Sequence, residues 1–142
     1  MPRLNTFLDP QSPALIASGL LLMRVMAALL LFSIHGLPKL LDWSGELQRI
    51  EDPFGLGASL TLGLAVFAEV IGPVLLVLGI AARLACLPVL AVLLVALLVV
   101  HPDWSLEQGQ FAWLLVALYG GLALTGPGAY SVAGWIGRAR FS

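Results

Sequence analysis

Two opposite charges stand inside apolar runs long enough to cross a bilayer: Arg24 is the eleventh residue of Ala14 to His35, and Glu69 the twelfth of Ala58 to Gly79. At 1.5 Å of helix rise per residue, each lies about 15 to 18 Å from the ends of its run, near the middle of a roughly 30 Å hydrocarbon slab. Ionisable groups at that depth are rare because they are costly unpaired, so by default they mark a site. The chemistry open to this set is proton movement by Glu69 and donation to a ligand carbonyl by Arg24 or His35. His35 follows Arg24 by three helical turns with about 20° of drift, so the two look out from one side of the helix. Lys39 comes one turn later, although Pro38 is placed to bend or end the helix there.

On the second run, Glu69 shares its stripe with Ala65 and Gly72. Small residues let a neighbouring helix approach closely, and the sequential, antiparallel neighbour is the first helix. Two readings stay open. Arg24 and Glu69 form a structural ion pair that sets register, or they line a polar cavity opening toward His35 and Lys39 that takes a quinone head group. Glu69 and His35 are the catalytic candidates, and Arg24, His35, Lys39 and Glu69 the binding candidates. His35 and His101 close the first and third apolar runs, with Asp103 and Glu107 just beyond. No HxxxH, ExxH or cysteine pair accompanies them, so they are weak candidates and no metal site is expected. Trp43 and Trp104 read as membrane anchors, Met23 and Met26 as filling, and Cys86 as an inert buried thiol.

These residues must be positioned by membrane helices. Of the 142 residues 60% are hydrophobic and 11% charged, more apolar surface than a soluble domain of this size can hide. A net charge of -1 gives no basic footprint for nucleic acid. The amino-terminal run exceeds a signal h-region and reads as an uncleaved first span. Four segments emerge, about 14–35, 58–79, 83–100 and 110–125, the last two near the lower limit for spanning. Lipid satisfies no backbone group, so all must be helices. The expected fold is all-α, a single-domain integral membrane four-helix bundle covering 1–142.

Between the first two spans, the segment around SGELQRI predicts a short interfacial helix with Leu47 and Ile50 toward the bilayer. With four spans both termini share one side, which holds Arg3, Arg83, Arg138 and Arg140, against Lys39 and Arg49 opposite. That bias predicts cytoplasmic termini in a plasma (inner) membrane. The lipid-facing area of so small a bundle leaves room for a homodimer, without an interface motif that argues for one.

The ordered elements LLMRVMAALLLFSIHGLPKL, AEVIGPVLLVLGIAARLA, LLVVH and GPGAYSV resemble the DoxX family of small four-helix membrane proteins over about Leu20 to Val132. The family's first-helix arginine, His-Gly pair and lysine fall on Arg24, His35, Gly36 and Lys39. Its second-helix glutamate falls on Glu69, followed by Gly72, Gly79 and Arg83. Pro73 departs from the pattern, where a further glycine is usual. The resemblance implies redox or sulfur chemistry at the membrane, with a partner oxidoreductase or other redox protein. A lone cysteine denies the chain a dithiol of its own, and no Rossmann, CxxCH haem or Walker motif is present, so flavin, nicotinamide, c-type haem and nucleotide are unsupported; the cofactor is unknown, with quinone open. The alternatives are a noncatalytic scaffold for soluble redox enzymes and a small metal or solute transporter.

Overall fold

A computed structural model describes residues 12–140 and is helical, with no strand among the described residues. Helix α1 is Pro13–Leu41, α2 Trp43–Arg49, α3 Ala58–Leu78, α4 Ala82–Val100, α5 Leu106–Thr125 and α6 Val132–Arg140. Three of them, α1, α3 and α4, are long and apolar enough to cross a membrane. Helix α5 is as long but opens on Glu107, Gln108 and Gln110, which lowers its hydropathy. Its start is fixed by a capping box in which Ser105 and Gln108 bond each other's backbone N–H. Arg3, part of the expected basic cluster, lies outside the described residues.

The three spanning helices each widen into a π turn, at Phe32–Gly36, Phe67–Ile71 and Ala96–Val100. Every π turn ends two residues before a proline, namely Pro38, Pro73 and Pro102. Proline has no N–H, and its ring crowds the carbonyl four residues back. The preceding N–H groups of Leu37, Gly72 and His101 accordingly reach five residues back, to the carbonyls of Phe32, Phe67 and Ala96. Pro38 therefore widens α1 without ending it, and the helix runs six residues past His35.

Helix α1 packs against α3 and α5, and α4 packs against the same two. The core, with Leu31, Leu76, Val89, Leu115 and Tyr119, fills the half nearer the chain termini. Tyr119 donates its hydroxyl proton to the Ala27 carbonyl at 3.2 Å, so the one polar atom of that large side chain is satisfied. Outward-facing Leu22, Leu84, Leu98 and Leu124 are more than half exposed, which suits contact with lipid.

The stagger of α1 against α3 differs from the expectation that Arg24 and Glu69 share a depth. Gly36, not Arg24, lies against Glu69, where a Cβ would collide with the Glu69 carbonyl oxygen. Arg24 lies beside Gly79, the left-handed residue (φ +69°) that ends α3. Glu69 stays near the middle of its span, whereas Arg24 sits level with the end of α3. Gly72 also faces elsewhere than expected: a Cβ there would come within 2.9 Å of Val89 on α4.

Candidate functional site

The partner of Glu69 is Lys39, whose Nζ lies 2.6 Å from Oε2. The continuation of α1 beyond Pro38 makes this possible, because it carries Lys39 to within reach of the π turn holding Glu69. The ammonium also donates to the His35 carbonyl at 3.3 Å, which uses two of its three protons. Glu69 is 6% exposed, and its Oε1 takes no hydrogen bond from the described residues. A third ammonium proton and a free carboxylate oxygen thus remain for a ligand.

This pair forms part of the wall of a cavity of about 800 Å³ in the half of the molecule opposite the core. Its origin is a change of partner along α3. The stretch Phe67–Leu78 packs along α4, whereas Ala58–Val66 packs against α2 and the end of α1. Helices α3 and α4 diverge beyond the π turn, and Leu64 and Phe67 on one side and Val92 and Val95 on the other line the resulting space. Leu64 and Phe67 are themselves about half exposed, so this wall reaches the lipid-facing surface. At the loop end, Glu46, Arg49 and Ile50 reach the cavity. Ile50, expected to face the bilayer, faces this space instead.

Aromatic and imidazole rings complete the lining. The His35 ring stacks on Phe111 with centroids 6.1 Å apart and planes 22° apart. His101 stacks on Trp104 at 3.9 Å and 3°. His35, Lys39, Glu69 and His101 therefore meet at one cavity, and Arg24 does not. Among the described residues no group of three or more His, Cys, Asp or Glu gathers as metal ligands would. Phe111 and Gln108, absent from the sequence expectation, also line the space. Their spacing of three puts them on one face of α5, a signal masked by the polar first turn.

Arg24 is 2% exposed and has a different role. It does not form the expected bridge to Glu69: its Nη1 donates to the Pro127 carbonyl and its Nη2 to the Tyr130 carbonyl, tying α1 to the segment that precedes α6. Arginine's planar fork suits two carbonyls held at fixed separation.

Outside the spans, two carboxylates order the α1–α3 connection. Asp42 caps α2 by accepting from Gly45 N–H at 3.1 Å, and Arg49 bonds both Asp42 and Glu46. The Arg49 hydrogen bond, with that of Gly45, holds the Asp42 carboxyl below its ordinary pKa. Asp52 accepts from Thr61 Oγ1 at 2.8 Å, Gly57 N–H at 2.7 Å and Leu56 N–H at 3.0 Å. These bonds, that of Thr61 foremost, hold its carboxyl below the usual range. Since Thr61 lines the cavity, Asp52 clasps the loop to the cavity wall.

A family model described as DoxX matches residues 19–102, more than half of the chain and the stretch that carries Arg24, His35, Lys39, Glu69 and His101. No curated protein and no solved structure matches the chain.

Proposed function

The chain belongs to the DoxX family, and from that premise we propose that it is the membrane subunit of a redox system, binding a quinone beside Lys39, Glu69 and His35. The observation that carries this reading is the cavity itself. It is predominantly apolar, reaches the lipid-facing surface between α3 and α4, and has an ammonium, a carboxylate and an imidazole in its wall. Pockets for small amphiphiles combine an apolar body with a few convergent polar groups in this way. A quinone is lipid-soluble and takes up two electrons with two protons on reduction to the quinol.

In this reading Lys39 donates its third proton in a hydrogen bond to a ligand carbonyl, and Phe111 and Trp104 present aromatic surface to the ring. Glu69 gives up or accepts a proton through Oε1, the oxygen not engaged by Lys39. The single thiol, Cys86, is fully buried, so electrons come from a partner oxidoreductase. The same proposal takes residues 1–142 as one domain, makes α5 a fourth span that completes a four-helix bundle, and puts both termini in the cytoplasm below the plasma membrane. The arginines at the terminal end support that orientation.

Chemical extraction and chromatography of the purified protein test the reading. Bound quinone is expected in the wild type and is expected to be lost in Glu69→Gln. Absence of quinone, together with unchanged quinone-linked activity of the intact complex carrying Glu69→Gln, would refute it. The closed pairing of Lys39 with Glu69 favours a second reading, a noncatalytic scaffold. There, Glu69→Gln lowers protein level and function in parallel.

A further inference from the structure

Among the described residues the buried guanidinium of Arg24 has no counter-charge at its end of the molecule. Every described carboxylate other than Glu69 belongs to the segments 42–52 and 103–107, at the opposite end. Glu69 itself is ten residues before Gly79 on α3, about 15 Å away along the axis. The two carbonyls that Arg24 binds occupy two of its five N–H groups, and Nε, itself buried, has no partner among the described residues.

Beside this guanidinium lies a notch of about 370 Å³, lined by Arg24, Val77, Leu78, Tyr130, Ser131 and Trp135. The amino terminus of α6 faces it through Ser131, which accepts from Gly134 N–H at 3.0 Å. A helix amino terminus carries partial positive charge and favours anions. Close by, the Arg83 guanidinium reaches Gly126, next to the Pro127 whose carbonyl Arg24 holds. Tyr130 and Trp135 are 47% and 66% exposed, amphipathic rings of the kind that settle at headgroup depth. That depth is set independently, because Arg24 lies level with Gly79, where the α3 span ends.

We propose that this notch binds the phosphate oxyanion of an anionic phospholipid headgroup, with Arg24 as the principal ligand. The free edge of a guanidinium matches an oxyanion with parallel N–H bonds, and the phosphate supplies the charge that the carbonyls of Pro127 and Tyr130 cannot. Trp135 and Tyr130 flank the headgroup at the membrane surface. The site is separate from the cavity at Lys39 and Glu69 and does not depend on what that cavity binds.

Native mass spectrometry of the full chain tests this, after incubation with equal amounts of phosphatidylglycerol and phosphatidylcholine, alongside a titration with inorganic phosphate. Both lipids carry the phosphodiester, but the choline cation cancels the net charge that phosphatidylcholine offers to Arg24 and Arg83, so the wild type is expected to retain phosphatidylglycerol about tenfold over phosphatidylcholine, at about 1 kcal/mol per basic residue. Arg24→Gln abolishes that preference, and Arg24→Lys weakens it by removing the fork. Trp135→Ala, at a side chain outside the core, lowers retention by a few fold and decides the matter if Arg24→Gln does not fold. Equal retention of both lipids by the wild type overturns the proposal, as does a preference untouched by Arg24→Lys and Trp135→Ala. Saturation by inorganic phosphate without lipid preference assigns the notch to a free anion and overturns the lipid.

Discussion

Lys39 and Glu69 form a pair in which each charge is tolerable only because of the other. Removing one partner of a buried pair costs about 3 to 5 kcal/mol, whereas replacing both with apolar residues is close to neutral. Lys39→Met is therefore expected to lower the unfolding free energy in detergent by about that amount, and Lys39→Met with Glu69→Leu to recover most of it. Thermal or denaturant unfolding of the purified variants measures both. Gly36→Ala places a methyl against the Glu69 carbonyl, a backbone atom that cannot rotate aside, and is expected to destabilise by about 1 to 3 kcal/mol. Gly72→Ala meets a Val89 methyl group at 2.9 Å and the Ala85 carbonyl oxygen only at an ordinary 3.4 Å, and is expected to cost less in the same assay. The sequence marks Glu69 as a site residue because a charge within an apolar run is visible in one dimension, and Lys39 because it falls one helical turn beyond His35. It does not show that Lys39, and not Arg24, answers Glu69, since that depends on how far α1 slides along α3. Pro38 is the local sign: it does not end the helix, which widens into a π turn and runs on through Lys39.

At the scale of elements, each π turn has a proline two residues beyond its end, but Pro88 sits inside α4 without one, so the prolines mark where a helix can widen rather than dictate it. What local sequence does not carry is the divergence of α3 from α4, which arises where α2 and the end of α1 draw Ala58–Val66 away. The connection between α1 and α3 holds that arrangement through Asp52. Its carboxyl has a lowered pKa in the folded chain, so the unfolded chain takes up the proton at higher pH. The clasp is therefore fully present above the ordinary aspartate range and is lost as pH falls through the folded value. Hydrogen exchange at Leu56 and Gly57 should show protection at neutral pH that declines below about pH 4. Asp52→Asn should remove that pH dependence. Separately, Ser105→Ala removes half of the capping box on α5 and is expected to reduce stability by about 1 kcal/mol in a thermal melt.

The molecule as a whole has a packed half near its termini and an open half at its loops; among the described residues the acids other than Glu69 gather at the open end, and the arginines other than Arg49 belong to the other. The composition makes the membrane location legible, and periodicity and length place the long helices. The cavity was open as a reading, but its volume depends on the angle between helices, which no residue pattern states. The proposed orientation predicts that Glu51→Cys reacts with a membrane-impermeant maleimide in intact cells, and that Arg138→Cys reacts only after lysis. The buried Cys86 should leave little background. The reverse pattern would invert the topology. The side opening between α3 and α4 also has a thermodynamic consequence: the apolar space it exposes is within reach of acyl chains. Any amphiphile that enters must displace them, so occupancy is an exchange equilibrium with the host membrane rather than a filling of empty volume. Apparent affinity should then shift with chain length and unsaturation of the surrounding lipid, even when the protein and the amphiphile are unchanged.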